Sequence, residues 1–327
     1  MTFFNVGYGE AMVLECPDSS CRGGVFTMVI DGGSAEAEEY ADRSSGRVPL
    51  ADALRRRVDH IDCMVNTHIH EDHTCGLAAA AELWPPRELW QTLPPNFYET
   101  AMYRLDTQQA RTPSQGKFLR ALNDYQLLCR KTREHGGVIR CLRAGAWMEL
   151  CPGLRCQVLS PSAARADELE SRCKDQFAER DPQAFLRKLD ALDARMNNFS
   201  LMLLLEYRGV RILLPGDTNR SGYEGLPAQS LRADLFKVGH HGQRDGISLE
   251  LLEQIRPAMV VCCASSDRRY ESAHPETLSM VSAAGAALYF SDCPNTAGIC
   301  GGPEPHQALE FTVDENGRLS ARYLTAV

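Results

Sequence analysis

The strongest constraint on this chain is a cluster of metal-binding residue types at positions 67–76, which read Thr-His-Ile-His-Glu-Asp-His-Thr-Cys-Gly. An apolar run at 61–65 precedes the cluster, and an alanine-rich, helix-prone run at 77–83 follows it. This order predicts a strand, a loop and a helix. Because side chains alternate along an extended chain, His68 and His70 are expected to project to the same side, whereas Asp72 and His73 lie at the turn into the helix and can face a second point.

These side chains suit a divalent metal centre. Neutral imidazole and carboxylate hold Zn²⁺, Mn²⁺ or Fe²⁺ while leaving a coordination position for water. Six of the nine histidines in 327 residues fall in three groups, which are His68, His70 and His73; His240 and His241; and His274. A surface loop that merely happens to be histidine-rich is the alternative, and this concentration disfavours it.

Residues 68–73 resemble the His-x-His-x-Asp-His signature of the metallo-β-lactamase superfamily. Three further segments resemble its ComEC-type branch, the domain found in bacterial DNA-uptake channels and their soluble relatives: Asn-Val-Gly-Tyr-Gly-Glu-Ala at 5–11, Lys-Val-Gly-His-His-Gly at 237–242 and Arg-Tyr-Glu-Ser-Ala-His-Pro-Glu at 269–276. Tyr8, Glu10 and Ser272 replace the branch's Gln, Asp and His. The resemblance covers most of the chain and implies an α/β fold, the four-layer αββα sandwich of the superfamily.

The resemblance also implies roles for single residues. Asp217, in the Pro-Gly-Asp-Thr turn at 215–218, matches the carboxylate that bridges two ions. The expected metal ligands are His68, His70, Asp72, His73, Asp217 and His240. His241 is expected beside the metals as a proton donor or phosphate contact, although spacing does not decide which of the pair is the ligand. The expected catalytic set is Asp72, Asp217, His241 and His274, the last facing the substrate.

The two metal half-sites are not equally complete. Many superfamily members carry another histidine between the first motif and the bridging aspartate, but the only candidate here is His135, in an environment that does not match. Asn197 or Asn198 stands nearest the equivalent place. The first site is therefore expected to have His68, His70, Asp217 and water alone, whereas Asp72, His73, Asp217 and His240 complete the second. One or two zinc ions are the expected cofactor, with manganese or iron as alternatives.

Asp31 follows the β-rich run at 25–30, and Gly32 and Gly33 allow a tight turn after it. Its carboxylate is expected to brace the metal loop; an ordinary turn residue is the alternative.

The whole chain, residues 1–327, is expected to form one domain with helical insertions at about 96–135 and 162–196. Each insertion is too short to bury its own core, so both are expected to lie on the sandwich as a lid or a dimer contact.

Charge is unevenly distributed. The net charge is −8, but residues 104–143 hold nine basic residues against three acidic ones, a net +6 that leaves −14 for the rest. This block is either a solvated helix face or an anion-binding surface.

Thirteen cysteines at irregular spacings indicate reduced, buried thiols. No apolar run reaches membrane-spanning length and no signal peptide is visible, so we expect a cytoplasmic protein without a membrane partner.

These features favour a metal-dependent hydrolase. A bound ion lowers the pKa of water to about 7 and so supplies hydroxide at neutral pH. A phosphodiesterase or nuclease is the leading hypothesis, because the basic block suits an anionic substrate, either nucleic acid or a small phosphodiester, and because the ComEC-type branch is associated with nuclease activity. A carboxyl-ester, lactone or other small-molecule hydrolase of the same fold, and a non-catalytic metal-binding protein, are the alternatives.

Overall fold

Fifteen strands form two β-sheets in the computed structural model, which describes residues 1–93, 105–292 and 305–327. The strands of the first sheet are β1 (Thr2–Phe4), β2 (Ala11–Pro17), β3 (Val25–Gly32), β4 (Cys63–Val65), β5 (Glu88–Gln91), β6 (Val138–Cys141), β14 (Ala308–Val313) and β15 (Leu319–Leu324). Those of the second are β7 (Trp147–Cys151), β8 (Leu154–Ser160), β9 (Met202–Tyr207), β10 (Val210–Leu214), β11 (Leu235–Lys237), β12 (Met259–Cys262) and β13 (Ala287–Phe290). The orders are β15-β14-β1-β2-β3-β4-β5-β6 and β13-β12-β11-β10-β9-β8-β7.

The helices of the described residues are α1 (Leu50–Leu54), α2 (Glu71–Leu83), α3 (Pro113–Glu134), α4 (Ala163–Ala178), α5 (Pro182–Asp193), α6 (Ala228–Leu231), α7 (Leu249–Ile255) and α8 (Pro275–Ala283). Local chemistry sets several of their ends. Thr112, Ser162 and Asp181 each accept a backbone hydrogen bond at the start of a helix. Pro113 and Pro182 occupy the first turn, where the missing N–H needs no partner.

Three large apolar cores arrange these elements in four layers, and a smaller one forms around Cys262, Leu278 and Phe290. The inner faces of the two sheets pack together through residues such as Phe3, Ile30, Val65, Leu203 and Leu214. A second core joins the outer face of the first sheet to α1, α2, α3 and the α4–α5 hairpin, and a third joins the second sheet to α7 and neighbouring helices. The predicted αββα sandwich is thereby confirmed.

The sheet pairing gathers strand ends at one edge of the molecule. β3 to β6 run parallel to one another, as do β10 to β13. Loops that follow the carboxyl ends of parallel strands meet at the same edge, which is where α/β proteins place their sites. The metal loop after β4, the Pro-Gly-Asp-Thr turn after β10 and the two histidines after β11 therefore meet there.

The described parts of the two stretches predicted as insertions are helical. Residues 94–104, including the first part of the stretch predicted at 96–135, lie outside the described residues. The remainder forms α3, whose Phe118, Leu122 and Tyr125 pack in the core beside α2. The stretch 162–196 forms a helical hairpin, α4 and α5, that is buried on the same layer through Leu169, Leu189 and others. Both stretches thus contribute to the outer helical layer over the first sheet.

Other elements begin and end close to their predicted positions. The strands expected at 25–30 and 61–65 correspond to β3 and β4. The helix after the metal loop begins at Glu71, six residues before the alanine-rich run. Several strands, β7 and β13 among them, were not predicted. Among the described residues, no helix combines the length and apolar character needed to cross a bilayer.

Helix α2 lies so close to the end of β3 that only glycine fits at the contact. A Cβ on Gly76 would overlap the carbonyl oxygen of Gly32, and one on Gly32 would overlap the backbone of Leu77. We therefore predict that Gly76→Ala lowers the free energy of unfolding by about 1–3 kcal/mol or more, as overpacking does. Gly116→Ala is the matched control in α3, because a Cβ there meets only the Ala110 Cβ at 3.7 Å. It should stabilise the protein by up to about 1 kcal/mol. Urea denaturation measures both; equal midpoints would contradict the prediction.

Candidate metal centre

Asp31 ties the metal loop to the end of β3. Its Oδ1 accepts a hydrogen bond from the Thr67 amide at 2.8 Å, and its Oδ2 accepts from Thr67 Oγ1 at 2.7 Å. The same Oδ2 lies 2.9 Å from His73 Nδ1. Asp31 is fully buried and adopts a positive φ of 54°. The carboxylate thus fixes the loop backbone and holds a proton on His73 Nδ1, so that Nε2 is the nitrogen that faces the site.

His68 and His70 form the first half-site and project to the same side, as predicted. His68 Nε2 lies 2.9 Å from His70 Nδ1. His68 Nδ1 lies 3.2 Å from Thr67 Oγ1, whose own hydrogen goes to Asp31. Because that hydroxyl oxygen can therefore only accept from His68, the proton of His68 sits on Nδ1. The two facing nitrogens are Nε2 of one ring and Nδ1 of the other.

The second half-site brings together His73, Asp72, Asp217 and His241. His241 Nε2 lies 2.9 Å from Asp217 Oδ2 and 3.1 Å from Asp72 Oδ2. His73 Nε2 lies 3.4 Å from both Asp217 Oδ2 and His241 Nε2, and 3.9 Å from Asp72 Oδ2. All of these donors except Asp72 are at least 97% buried. The His68 and His73 rings, 4.2 Å apart between centroids, join the two half-sites.

The structure distinguishes the two adjacent histidines. His241 donates Nδ1–H to the Cys263 carbonyl at 2.9 Å, which leaves Nε2 free to face the carboxylates. His240 is turned away, with Nδ1 at 2.8 Å from Asp245 Oδ1 and Nε2 at 2.9 Å from Asn197 Nδ2. Both ring nitrogens of His240 therefore have partners. The sequence analysis expected His240 as the metal ligand and His241 beside the metals, and the two residues lie the other way round. His241 lies in the donor cluster, and His240 lines the cleft above it.

His274 lies apart from the cluster. Its Nδ1 accepts from the Glu276 amide at the start of α8, and its Nε2 lies 3.1 Å from Arg244 Nη2. The backbone beside it is close to the site, because the His274 amide donates to the Gly242 carbonyl at 2.9 Å. The side chain, however, is not among the residues that line the cleft. The geometry gives His274 a helix-capping contact, and its expected role toward substrate stays a prediction.

Two charged residues in the cluster had no role in the sequence analysis. Lys237 is fully buried and donates to the Gly216 carbonyl at 2.9 Å, with Asp217 Oδ1 at 3.4 Å. Its amine is also ion-paired with Glu10. Burial lowers the pKa of Lys237 to about 7. Glu10 is grouped with His73, Asp217 and His241, but the nearest imidazole nitrogen, at 3.8 Å, is the His241 Nδ1 that faces away from the site. We therefore interpret this pair as the wall behind the second half-site.

Burial and charge oppose each other in this cluster. Burial lowers the pKa of His73, but Asp217, Asp31 and Asp72 outweigh it and raise that pKa well above its ordinary value. Burial raises the pKa of the Asp217 carboxyl, but His241 and His73 outweigh it and hold that pKa well below its ordinary value. Burial also lowers the pKa of His68 far below its usual range. Without a cation, the acidic second half-site thus retains protons on its imidazoles, while His68 is neutral.

The donor set fits divalent ions. Ligands bound at about 2.0–2.1 Å in tetrahedral geometry lie roughly 3.3 Å apart. The facing donors of both half-sites are separated by 2.9 to 3.9 Å, and the off-site nitrogens of His68, His73 and His241 are all satisfied. Hydrogen bonds from the nitrogen that does not face the metal orient metal-binding imidazoles. His68 and His70 would hold one ion, and Asp72, His73, Asp217 and His241 a second.

A cleft of about 500 Å³ opens over the cluster. Asp72, Asp217 and His70 form part of its floor. Its lining also includes Tyr8, Lys117, Asn197, His240, Gln243 and Tyr270. The Tyr8 ring lies 4.7 Å from the His241 ring and 5.0 Å from that of Tyr270, between centroids. The site is therefore open to a ligand along a polar, partly aromatic wall.

The basic block at 104–143 is largely paired on the surface. Ion pairs join Arg120 to Glu36, Arg140 to Glu88 and Arg143 to Asp167. Arg104 lies outside the described residues. Lys117 is the basic member that lines the cleft within the described chain, where its Nζ lies 3.9 Å from Glu71 Oε2. The block thus combines a charge-paired helix face with one cation at the site.

The comparisons with known proteins agree with the motifs. Residues 22–139 match the family model of the Metallo-beta-lactamase superfamily. Over 99% of its length the chain is 23% identical to ComE operon protein 3 of Bacillus subtilis (strain 168), of which it covers 33%. The chain therefore spans about a third of that curated relative. The resemblance to the superfamily and its ComEC-type branch is confirmed.

Similar solved structures include Zn²⁺-bound PqqB from Methylobacterium extorquens, at 10% identity and a TM-score of 0.46, covering 88% of this chain and 97% of that one. A metal-dependent hydrolase from Parabacteroides distasonis is 12% identical with a TM-score of 0.39, covering 85% and 97%. The short form of human tRNase Z is 11% identical with a TM-score of 0.32, covering 89% and 92%.

His241 and His240 provide a direct test of the ligand set. We predict that His241→Ala removes the ion held by the second half-site, because it deletes a nitrogen within 2.9 Å of Asp217. His240→Ala should keep the full metal content, because both nitrogens of His240 are already engaged by Asp245 and Asn197. Metal analysis after dialysis against a metal buffer measures both variants. Metal loss in His240→Ala with retention in His241→Ala would reverse the assignment.

Metal binding should release protons. The pKa of His73 is raised in the metal-free protein by Asp217, Asp31 and Asp72, so its ring stays protonated at neutral pH and must lose a proton before Nε2 can bind a cation. Affinity is therefore predicted to weaken as the pH falls through the raised pKa of His73 and to rise again above it. Calorimetric titration with Zn²⁺ in two buffers of different ionisation enthalpy counts the protons released. Heats that do not depend on the buffer would contradict this.

Proposed function

With the superfamily resemblance confirmed and a cluster of potential metal ligands in place, we propose that this protein is a metal-dependent phosphodiesterase, with nuclease activity as its specific form. The superfamily supports a metallo-hydrolase; the phosphodiester substrate is our proposal. The observation that carries it is the set of hydrogen-bond donors around the open side of the cluster. Lys117, Asn197, His240 and Gln243 all line the cleft over Asp72 and Asp217. Cationic and amide donors in that arrangement suit the unesterified oxygens of a phosphodiester.

In this proposal Asp72, His73, Asp217 and His241 would hold one zinc ion, and His68 and His70 would hold a second. Manganese or iron would suit the same nitrogen and oxygen donors. Ions bound in such a pair polarise a phosphoryl oxygen and activate a water. The chain itself keeps the imidazole nitrogens aimed inward through Asp31, Thr67 and the Cys263 carbonyl.

His240 is the residue that we propose as proton donor to the departing alkoxide, in place of His241 or His274. It lines the cleft, and Asp245 accepts from its Nδ1 at 2.8 Å, which orients the ring. Asn197 Oδ1 has no hydrogen-bond partner among the described residues. To deliver its proton, Nε2–H would have to exchange the contact with Asn197 for one with the leaving oxygen, while Nδ1–H stays on Asp245. General acid catalysis of this kind contributes about 10² to 10⁴ in rate.

Lys117 is proposed to bind the substrate. Its Nζ lies 5.9 Å from the centre of the Tyr270 ring, and its side chain is 39% exposed. The tyrosine, 58% exposed, leaves an aromatic face at the mouth of the cleft. A cation beside an aromatic face suits a phosphodiester that carries an aromatic group, including a nucleobase. Nucleic acid is accordingly the anionic partner that we propose, with a small aryl phosphodiester as the simpler substrate.

Asp217→Ala should abolish turnover of bis(p-nitrophenyl) phosphate and of single-stranded DNA, because it removes the carboxylate that faces His73 and His241 in the second half-site. The control is Glu315→Ala, an exposed carboxylate in the β14–β15 turn that should retain wild-type rates. A chelator should abolish wild-type turnover, and added Zn²⁺ or Mn²⁺ should restore it.

A parallel panel of lactones and carboxyl esters distinguishes the alternatives. Turnover of that panel without any phosphodiester cleavage would replace the proposal with the ester or lactone hydrolase. Full metal content without turnover of any substrate would favour a non-catalytic metal-binding protein.

A further inference from the structure

The His70 ring lies between two partners that belong to different parts of the fold. Its Nδ1 faces His68 Nε2 at 2.9 Å, on the side of the donor cluster. Its Nε2 lies 3.1 Å from Asp193 Oδ1. Asp193 is the last residue of α5, in the helical hairpin α4–α5. The carboxylate therefore lies behind the ring, opposite the nitrogen that faces His68.

The other three imidazoles of the cluster receive this kind of support from the sandwich itself. Asp31 at the end of β3 accepts from His73 Nδ1, the Cys263 carbonyl after β12 accepts from His241 Nδ1, and Thr67 Oγ1 accepts from His68 Nδ1. His70 has no such partner from either sheet in the interactions of the described chain. Its acceptor is supplied by the hairpin alone.

From this contact we infer that Asp193 is a positioning residue for the first half-site. By accepting a hydrogen bond from His70 Nε2–H, it keeps the lone pair on Nδ1, where His68 Nε2 also points. A neutral imidazole carries one N–H and one lone pair, so fixing one nitrogen determines the other. Loss of this contact would let the ring take the other tautomer or rotate, and the first half-site would lose one of its two imidazoles.

The hairpin end is itself held in place by α3. Ser114 Oγ donates to Asp193 Oδ2 at 2.9 Å, and Gln115 Nε2 donates to Asp190 Oδ1 at 2.9 Å and to its Oδ2 at 3.0 Å. Asp193 is 23% exposed and lines the cleft, whereas Asp31 is fully buried. The first half-site thus depends on a partly exposed contact, and the second on a buried one. The helical hairpin consequently sets how tightly the first ion is held.

This inference rests on the metal centre of the proposed function, but its test does not require turnover. Zn²⁺ and Co²⁺ are titrated into metal-free wild-type protein and into Asp193→Ala by calorimetry, with Co²⁺ absorption as a second signal. The wild type should bind two equivalents. Asp193→Ala should bind the tighter equivalent unchanged and the weaker one about 10- to 100-fold less tightly, the usual effect of removing such a partner. Asp193→Asn, which keeps an acceptor oxygen in place, should recover part of that affinity.

Asp190→Ala is the matched control, one turn earlier on the same helix. It removes a contact between α5 and α3 without touching His70, so both equivalents should bind as in the wild type. Wild-type binding of both equivalents by Asp193→Ala would overturn the inference, as would equal weakening by Asp190→Ala, which would assign the effect to docking of the hairpin. A single equivalent that is insensitive to Asp193→Ala would overturn it as well. Absence of phosphodiester cleavage with the expected binding pattern would refute only the proposed function.

Discussion

The hydrogen bonds to Asp31 are the interaction on which the metal centre depends. A buried carboxylate is costly unless donors satisfy it, and this one receives three: the Thr67 amide, the Thr67 hydroxyl and His73 Nδ1–H. Two of these donors belong to the residue that opens the metal loop, and the third to its last ligand. One side chain thereby fixes both ends of the seven-residue segment 67–73. Its positive φ lets β3 end in a sharp turn against α2, where glycines on both sides allow close approach.

The same logic determines which atoms face the cations. An imidazole is useful as a ligand only if its other nitrogen is occupied, and each histidine of the cluster has a distinct acceptor behind it. The acceptors are a carboxylate, a hydroxyl, a backbone carbonyl and the carboxylate at the end of a helical hairpin. Three come from the sandwich core and one from the outer layer. The centre is therefore most firmly preorganised on the side of His73 and His241.

The sequence was sufficient for the parts of the site that are local. The spacing of His68, His70, Asp72 and His73 within one loop determines that they share a neighbourhood, and the bracing contacts of Asp31 occur as expected. The four-layer fold followed from the same motifs. The sequence could not decide whether His240 or His241 lies in the donor cluster. That choice depends on the acceptor that each ring meets in the folded chain, which is Asp245 for His240 and the Cys263 carbonyl for His241. Asp193 was unpredictable for the same reason, since it contacts His70 across 123 positions of the chain. β7 and β13 were missed because each is short and partly exposed, which gives a weak alternating pattern.

The distance between the donors of the metal centre also depends on the apolar core between the sheets. The metal loop follows β4 in the first sheet, whereas Asp217 and His241 follow β10 and β11 in the second. The distance between the donors of the two sheets is therefore set by side chains such as Ile30, Val65, Leu203 and Leu214, which lie between the sheets. Protein interiors are close-packed and transmit small displacements, and a shift of about 1 Å is enough to impair a catalytic geometry. The buried Glu10–Lys237 ion pair opposes such a shift, because it joins the opening segment beside β2 in the first sheet to the end of β11 in the second. This pair, whose lysine also lies 3.4 Å from Asp217 Oδ1, would thereby maintain the register between the two halves of one metal centre.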